Sequence, residues 1–331
     1  MTIATRPSKR AEMVEVLIGP IFAPSICDDR QVTTESRRTT GSLVLLVGAS
    51  LIFSTGGLFV RSVHTDNAWT IVFWRSLSAC VSIVVFMLIS DRRGALASIR
   101  TMGVPGLLVG ASFCVSSISM VAALSHTSVA VTLVILALTP LAAALLARVF
   151  IGETVHGYTW AAIAATVAGV AYMVSGPGAN VNAVGVMIAL LIPVTFGVGI
   201  IVIRKHPGIG MVPAMLLACA MSTVIALPLG KPFDIDRHDL LLLCLFGFGQ
   251  LGLGLAIFAV GAKGAPATEA ALLSMLEPVL GPIWVWIFKD EYPGIAGLIG
   301  GGIVFTALAV HTVYAAHRES KVLEESIPAI G

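Results

Sequence analysis

The feature that most constrains this chain is a series of long apolar blocks that follow one another from Gly41 to the C-terminal tail. Each block is close to the roughly 20 residues that a helix needs to cross a hydrocarbon core of about 30 Å. A helix in lipid satisfies its own backbone polar groups, and the alternating segments typical of a transmembrane β-barrel are not visible. The pattern therefore predicts an all-α integral membrane protein. We place its ten transmembrane helices at 43–61, 69–90, 103–123, 128–148, 157–175, 183–203, 210–229, 239–260, 267–288 and 295–315.

The composition indicates that little of the chain lies outside the bilayer. Only 11% of the 331 residues are charged, whereas soluble domains carry about 25%. The formal net charge of +2 is too small to indicate a nucleic-acid partner. We expect the lipid bilayer and a small-molecule substrate as partners, and we leave a homodimer open. The five cysteines show no CxxC spacing, so we predict no disulfide framework, no metal site and no cofactor.

Orientation follows from the basic residues, because lysine and arginine concentrate in cytoplasmic loops. With the N-terminus inside, 15 of the 20 basic residues fall in inside segments, four fall outside, and Arg75 lies within a span. This predicts a multi-pass protein of the bacterial inner membrane with both termini in the cytoplasm. The loops 62–68 and 230–238 would then face outward. Residues 1–41 are expected to be a mostly disordered cytoplasmic arm, and 316–331 a cytoplasmic tail.

An internal repeat divides the apolar region into two halves. The segment from Pro140 to Glu153 matches the segment from Pro278 to Glu291, with a proline at the start and a glutamate at the end of both. The constant offset between the two segments predicts five-helix repeats over 42–175 and 182–315. Because five is odd, the second repeat must enter the membrane from the opposite side. Inverted repeats of this kind are typical of secondary transporters, whose substrate sites lie between the halves near the midplane.

The motifs of the two repeats resemble those of a known family. Leu138-Thr139-Pro140-Leu141 with Gly152-Glu153, Leu276-Glu277-Pro278-Val279 with Asp290-Glu291, and Phe73-Trp74-Arg75 are similar to the drug/metabolite transporter superfamily, in particular its EamA-type members. The resemblance covers about 42–315, and it weakens at Lys289-Asp290, where a leucine-glycine pair is more usual. It implies a cavity lined by spans one to four and six to nine, with spans five and ten peripheral. It also implies export or exchange of small metabolites such as amino acids.

Two acids on the ninth predicted span are candidates for a substrate or proton path. Glu277 lies about ten residues from each end of its span, where a charged residue costs about 2.5–3.5 kcal/mol. It must therefore face the bundle interior, be protonated, or have a cationic partner. Its counterpart in the first repeat is Thr139, so the scaffold does not require an acid there. Glu269 lies nearer the cytoplasmic end, where a favourable acid in a first helical turn is the simpler interpretation.

Three further residues are candidates for the same path. Arg75, two turns into its span, could bind a carboxylate with its planar fork or extend to the outer surface. Trp74 could line a cavity or belong to the interfacial aromatic belt. Gln250 lies among the glycines of the eighth span and could face a cavity.

Helix-breaking and gating residues form a second group. A proline within a span frees the carbonyl four residues earlier, which favours a helix break or a cavity lining, and a kink that serves only packing is the alternative. The prolines concerned are Pro140, Pro193, Pro278 and Pro282. Glu153 and Glu291 end the paired helices and are candidate gate or turn residues, although a local ion pair such as Glu291 with Lys289 is the simpler interpretation.

Three classes of function are compatible with a helical membrane protein. A secondary transporter needs no ATP, and the GxxxxGK[ST] loop is absent from the chain. An embedded enzyme would need a motif such as HExxH, which is also absent. A channel would show rings of charge or repeated carbonyl filters, and neither is visible. We therefore predict a transporter and not an enzyme, with a membrane-embedded enzyme or a channel-like protein as the alternative.

Overall fold

The computed structural model describes residues 29–152, 155, 157–175, 182–206, 208–265 and 267–326. Helix is the regular secondary structure of these residues, and no strand occurs among them. Positions 1–28 of the predicted N-terminal arm, and Glu153, lie outside the described residues. The first described helix begins at Asp29.

The helices of the first half are followed by those of the second half in the same general order. The first half has the helices Asp29–Ser54, Gly56–Ser62, Ala68–Thr101, Gly103–His126, Val129–Leu136, Thr139–Ile151 and Gly157–Ser175. The second half has Ala183–Lys205, Met211–Leu229, Arg237–Leu245, the π-helix Phe246–Leu253, Gly254–Gly261, Ala267–Ser274, Leu276–Lys289 and Gly294–Ser326.

Ten helical segments among the described residues are long and apolar enough to cross a membrane, which confirms the predicted number of spans. We call them spans 1 to 10. They are Gly41–Ser62, Ala68–Ser90, Gly103–His126, Val129–Ile151, Gly157–Ser175, Ala183–Lys205, Met211–Leu229, Arg237–Gly261, Leu272–Lys289 and Gly294–Ala315. Each overlaps its predicted counterpart, and the ends differ by a few residues because hydropathy does not define where a helix caps.

Spans 4 and 9 are interrupted at equivalent positions of the repeat. Span 4 breaks at Ala137 and Leu138, and span 9 breaks at Met275. In both, the second helix restarts just before a proline, Pro140 or Pro278, because a proline ring cannot donate to the carbonyl four residues earlier. In span 4 the hydroxyl of Thr139 donates to the freed carbonyl of Leu136 at 2.5 Å. The break therefore leaves that carbonyl with a side-chain partner in place of a backbone one.

Pro193 and Pro282 do not interrupt their helices. Both lie inside continuous helices, Ala183–Lys205 and Leu276–Lys289. The structure therefore excludes a helix break at these two positions, and a cavity-lining role for them stays a prediction. Span 1 also breaks, at Thr55, without a proline.

The two halves pack on each other through central spans. Span 3 packs on span 6, and span 2 packs on spans 7 and 8. Glycines allow the closest of these approaches: a Cβ at Gly247 in span 8 would collide with the carbonyl oxygen of Arg75 in span 2. Spans 5 and 10 pack mainly against each other, where a Cβ at Gly169 would lie 2.8 Å from the carbonyl oxygen of Gly300. The described residues from Gly41 onward form one compact unit.

Candidate functional site

Arg75 lies inside the bundle. It is only 6% exposed, and its Nη1 donates to the hydroxyl of Ser117 in span 3 at 2.9 Å. Its guanidinium carbon is 4.8 Å from the ring centroid of Phe246 in span 8, a cation–π distance. An arginine that extended to the outer surface would be exposed, so the structure places the guanidinium among spans 2, 3 and 8 instead.

Glu277 lies at the break of span 9, in the first turn of the helix Leu276–Lys289. Its charge and that of Arg75 lie close enough to interact through space. Among the described residues, however, no carboxylate lies within 4.0 Å of Arg75 to form an ion pair. The Nε of Arg75 is buried and has no hydrogen-bond partner within the described part of the chain. The bundle therefore contains a cation, Arg75, and an acid, Glu277, and the Nε–H of Arg75 is still available to donate a hydrogen bond.

Gln250 extends the polar region toward span 1. It is 6% exposed and lies in the π-helix of span 8. Its Nε2 donates to the carbonyl of Phe53 at 3.0 Å, just before the break of span 1. Its Oε1 is buried without a partner among the described residues. A π-helix widens the turn and often occurs at functional sites, and here it brings an amide to a freed carbonyl.

A second hydrogen bond joins the later part of span 9 to the break of span 1. The indole Nε1 of Trp284, in span 9, donates to the hydroxyl of Ser54 at 2.9 Å. Ser54 in turn donates to the carbonyl of Leu51 at 2.7 Å. The interrupted turn of span 1 is therefore held from both span 8 and span 9. Sequence reasoning did not single out Trp284, because a tryptophan within an apolar block carries no signal of a specific partner.

The other two path candidates have different surroundings. Trp74 donates from its indole Nε1 to the carbonyl of Pro232 at 2.7 Å, so it holds the loop between spans 7 and 8. Glu269 lies in the helix Ala267–Ser274, before the break of span 9. One of its carboxylate oxygens is buried without a hydrogen-bond partner among the described residues. A buried carboxylate oxygen without a donor is costly, although Glu269 also lies in the first turn of its helix, as the simpler interpretation of the sequence expects.

The prolines differ in their surroundings as well. Pro193 and Pro278 are buried, Pro282 is half-buried, and Pro140 is exposed. A shallow groove of about 450 Å³ also lies beside span 6. It is lined by Ala183, Val184, Met187, Ile188 and Leu191. Val184 and Met187 are largely exposed, so this groove suits lipid contact and carries none of the polar groups described above.

Glu291 pairs with a residue from the first repeat, not with its neighbour Lys289. The Nε of Arg61, at the end of span 1, lies 2.6 Å from a carboxylate oxygen of Glu291. Arg61 also donates to the carbonyls of Leu124 and Thr127 at 2.7 and 2.8 Å. The other carboxylate oxygen of Glu291 accepts from the backbone N–H of Val129 at 2.9 Å. The pair thus ties the ends of spans 1, 3 and 4 to the loop between spans 9 and 10, and we call it the Arg61–Glu291 clamp.

Comparison with known proteins agrees with this architecture. A model of the EamA-like transporter family matches the chain twice, over residues 40–175 and 183–313. The chain belongs to the EamA-like transporter family. As a member, it is a multi-pass membrane protein of a family whose proteins are transporters and not enzymes.

The fold of this EamA-like chain also occurs among solved structures. One crystal structure superposes with a TM-score of 0.61, covering 84% of this chain and 99% of the other at 18% identity. At that identity the likeness shows the fold alone. No curated protein sequence matches the chain.

Proposed function

We propose that this EamA-like protein is a secondary transporter that exports or exchanges a small metabolite, such as an amino acid or a related compound. It works by alternating access across the bacterial inner membrane, with both termini in the cytoplasm. The observation that carries the proposal is a pair of opposite charges inside the bundle, the buried Arg75 on span 2 and the half-buried Glu277 on span 9. The proposal is supported by the general position of substrate sites in secondary transporters, between inverted repeats and near the midplane.

The chemistry of the pair suits a zwitterion. The guanidinium of Arg75 can bind a carboxylate with two parallel hydrogen bonds, and Glu277 can accept from an ammonium group. Arg75 makes one hydrogen bond to Ser117 and keeps further donors for a ligand. A buried charge without an ion-pair partner is expensive, so a substrate that supplies both opposite charges would stabilise the site. An amino acid carries both groups on one carbon.

The breaks and the Arg61–Glu291 clamp support alternating access. The clamp joins span 1 to the loop after span 9 at the predicted outer face, so it can hold that face closed. The interruptions of spans 1, 4 and 9 give short helical pieces that can tilt while the rest of each span stays packed. By the repeat, Glu153 is the counterpart of Glu291, and we propose it as the equivalent acid at the cytoplasmic face.

Flux in proteoliposomes tests the proposal directly. The purified full-length chain is reconstituted and a panel of radiolabelled amino acids is offered, with and without unlabelled amino acid inside the vesicles. A carrier shows saturation and stimulation by internal substrate, whereas a channel shows flux that rises linearly and is not stimulated. Failure of every amino acid to exchange would reject this substrate class.

Arg75→Lys separates carboxylate binding from a general requirement for positive charge. If Arg75 binds a substrate carboxylate, the point charge of lysine does not replace the fork. We expect exchange to fall by about tenfold or more, the effect of losing about 1.4 kcal/mol. Arg148→Lys, at the exposed cytoplasmic end of span 4, is the matched control and should retain wild-type exchange. Wild-type flux in Arg75→Lys at equal expression would remove Arg75 from the site.

A further inference from the structure

Two histidines and two aspartates converge at the predicted outer face, away from Arg75 and Glu277. His64 lies in the loop between spans 1 and 2, and Asp236, His238 and Asp239 lie at the start of span 8. One potential ligand atom from each side chain lies within 4.8 Å of all the others. Sequence reasoning predicted no metal site, since His64 is separated from Asp239 by 175 positions and no short motif joins the four residues.

We propose that His64, Asp236, His238 and Asp239 form a binding site for a divalent transition-metal cation, with Zn²⁺ as the best match. Imidazole nitrogen and carboxylate oxygen are both common zinc ligands. The site would join the first repeat to the second at the outer face, because His64 belongs to one half and the other three residues belong to the other half.

The distances between ligand atoms match a tetrahedral ion. Metal–ligand bonds of about 2.0–2.1 Å place the ligands of a tetrahedral zinc about 3.3–3.4 Å apart. The Nδ1 of His64 lies 3.4 Å from an oxygen of Asp239 and 3.6 Å from an oxygen of Asp236. The Nδ1 of His238 lies 3.2 Å from the same oxygen of Asp239. Three ligand pairs therefore already have nearly the spacing that a bound ion requires.

The surroundings hold the Asp239 carboxylate in place. Its side chain is 3% exposed, and its Oδ2 accepts from the backbone N–H groups of His64 and Thr65 at 2.9 and 2.8 Å. The Oδ1 also accepts from the backbone N–H of His64, at 3.0 Å, and it has a second lone pair that is available to a metal. Asp239 is therefore fixed by the backbone of the first repeat with one oxygen directed at both imidazole rings.

The other ligands leave a path for the ion. The Asp236 Oδ1 caps span 8 by accepting from the N–H of Asp239, which leaves its Oδ2 for a metal. The side chains of His64, Asp236 and His238 are 72%, 55% and 54% exposed. An ion can therefore enter from solution without any movement of the helices.

The simpler interpretation is a set of hydrogen bonds between histidine and aspartate without an ion. The two imidazole rings stack at 4.8 Å between centroids, and both Nδ1 atoms point at one oxygen of Asp239. Hydrogen bonds from the two Nδ1–H groups to Asp239 would explain the position of both rings. They would not explain why an oxygen of Asp236 also lies beside the Nδ1 of His64. Metal titration distinguishes the two interpretations.

The test is titration of the purified, chelator-treated full-length chain in detergent with Zn²⁺ by calorimetry, and with Co²⁺ by visible absorption. We expect one saturable Zn²⁺ per chain and the intense d–d bands of tetrahedral Co²⁺. His64→Ala, His238→Ala and Asp236→Asn should each weaken Zn²⁺ binding by more than about 10-fold, since even outer-shell changes cost about 10–100-fold. Asp236→Asn keeps an oxygen for the helix cap, so it tests the ligand without removing the cap.

His126→Ala is the matched control, because His126 is an exposed histidine at the same predicted face and lies outside the cluster. It should bind Zn²⁺ like the wild type. The proposal is overturned if Zn²⁺ shows no saturable binding, if His126→Ala weakens binding as much as His64→Ala, or if Co²⁺ gives only the weak bands of octahedral coordination. A size-exclusion profile like that of the wild type shows that each variant is folded, and with three independent variants the loss of one leaves the test decisive.

Discussion

Arg75 and Glu277 are costly residues to place in a membrane span, and the structure shows what surrounds them. Arg75 is held by a hydroxyl and an aromatic face, neither of which neutralises its charge. Glu277 interacts with that charge from a distance and lies where span 9 breaks. A scaffold built only for stability would do without both charges, since Thr139 occupies the equivalent position of the first repeat. We therefore propose that the pair serves a ligand and not packing.

Glu277→Gln tests whether the acid carries protons. Glutamine keeps the shape and hydrogen-bonding capacity of the acid, but it cannot ionise. If Glu277 exchanges protons for substrate, the variant should lose accumulation driven by a pH gradient and keep some downhill exchange. Flux is measured in proteoliposomes with and without an imposed pH gradient, and Asp66→Asn, in an exposed loop that we predict to lie outside, serves as the control. A well-folded variant that responds to the gradient like the wild type would exclude the proton-carrier role.

Asp290 adopts a backbone conformation that suits glycine. It ends its helix with a φ of +53°, and it is the non-glycine residue with positive φ among those described. Gly152, its counterpart in the first repeat, ends span 4 with a φ of +76°. The unusual Lys289-Asp290 sequence therefore keeps the left-handed helix cap of the repeat and places an aspartate where a side chain costs about 1–2 kcal/mol.

Asp290→Gly should raise the thermal stability of the protein. Glycine removes the left-handed strain but adds freedom to the unfolded chain, so we expect a net gain of about 1 kcal/mol or less. Gly152→Ala should lower stability by about 1–2 kcal/mol, although a Cβ there meets nothing within 4 Å. Thermal unfolding in detergent measures both. Asp234→Gly, at an exposed position without positive φ, should not stabilise the protein, and an equal gain there would contradict the argument.

At the scale of elements, irregular backbone recurs in the packed bundle, because spans 1, 4 and 9 break and span 8 contains a π-helix. Each frees backbone groups that an unbroken helix would use internally. At these sites the side chains of Gln250 and Thr139 each donate a hydrogen bond to a backbone carbonyl. Trp284 donates to the hydroxyl of Ser54, at the break of span 1. Irregular backbone at membrane depth is tolerated where protein or water covers it. We therefore expect the helices to rearrange at these breaks at a lower cost than within an unbroken span.

The Arg61–Glu291 clamp is the element that should control the outer face. Glu291→Gln removes the charge pair but keeps an oxygen for the N–H of Val129. The clamp side chains are about a quarter exposed, so we expect a loss of about 1 kcal/mol and about a fivefold shift toward the outward-open state. Cys219, which is buried in span 7 at 2% exposure, reports an opening of the outer face as faster labelling by an impermeant thiol reagent in a background without the other cysteines. Asp66→Asn should leave the labelling rate unchanged, and an unchanged rate in Glu291→Gln would show that the clamp does not close the site.

At the scale of the whole molecule, the duplication places equivalent features in both halves. The breaks of spans 4 and 9 fall at matching positions of the two repeats, and so do the left-handed caps at Gly152 and Asp290. The halves are not two separate bodies, because span 3 packs on span 6 and span 2 packs on spans 7 and 8. Arg75 of the first repeat therefore lies where the two halves meet, with its guanidinium over the ring of Phe246 from the second repeat.

The orientation in the membrane follows from the basic residues and is tested by labelling in intact cells. Cysteine at Asp66 or at Asp234, in the loops predicted outside, should react with an impermeant maleimide without permeabilisation. Cysteine at Lys263, in a loop predicted inside, should react only after permeabilisation. Native cysteines are removed beforehand. The opposite pattern at all three positions would invert the topology, and labelling of only one of the two outer positions would contradict the ten-span path.

The sequence by itself determined the fold class, the number of spans, the duplication and the family. These are properties of composition and spacing: a run of about 20 apolar residues is enough to specify a spanning helix. It also identified Glu277 and Arg75, because a charge within a span is rare and costly whatever surrounds it.

Only the tertiary structure decided which side chains meet. The Arg61–Glu291 clamp joins residues 230 positions apart, and the ligands around Asp239 come from both repeats. The tertiary structure also shows that Glu291 pairs with Arg61 and not with Lys289. It shows as well that the helices containing Pro193 and Pro282 are unbroken. The physical reason is the same in each case. Hydropathy is a one-dimensional average that places a residue at a depth in the membrane, whereas the rotation of each helix and the facing of each side chain depend on packing against helices from the other half.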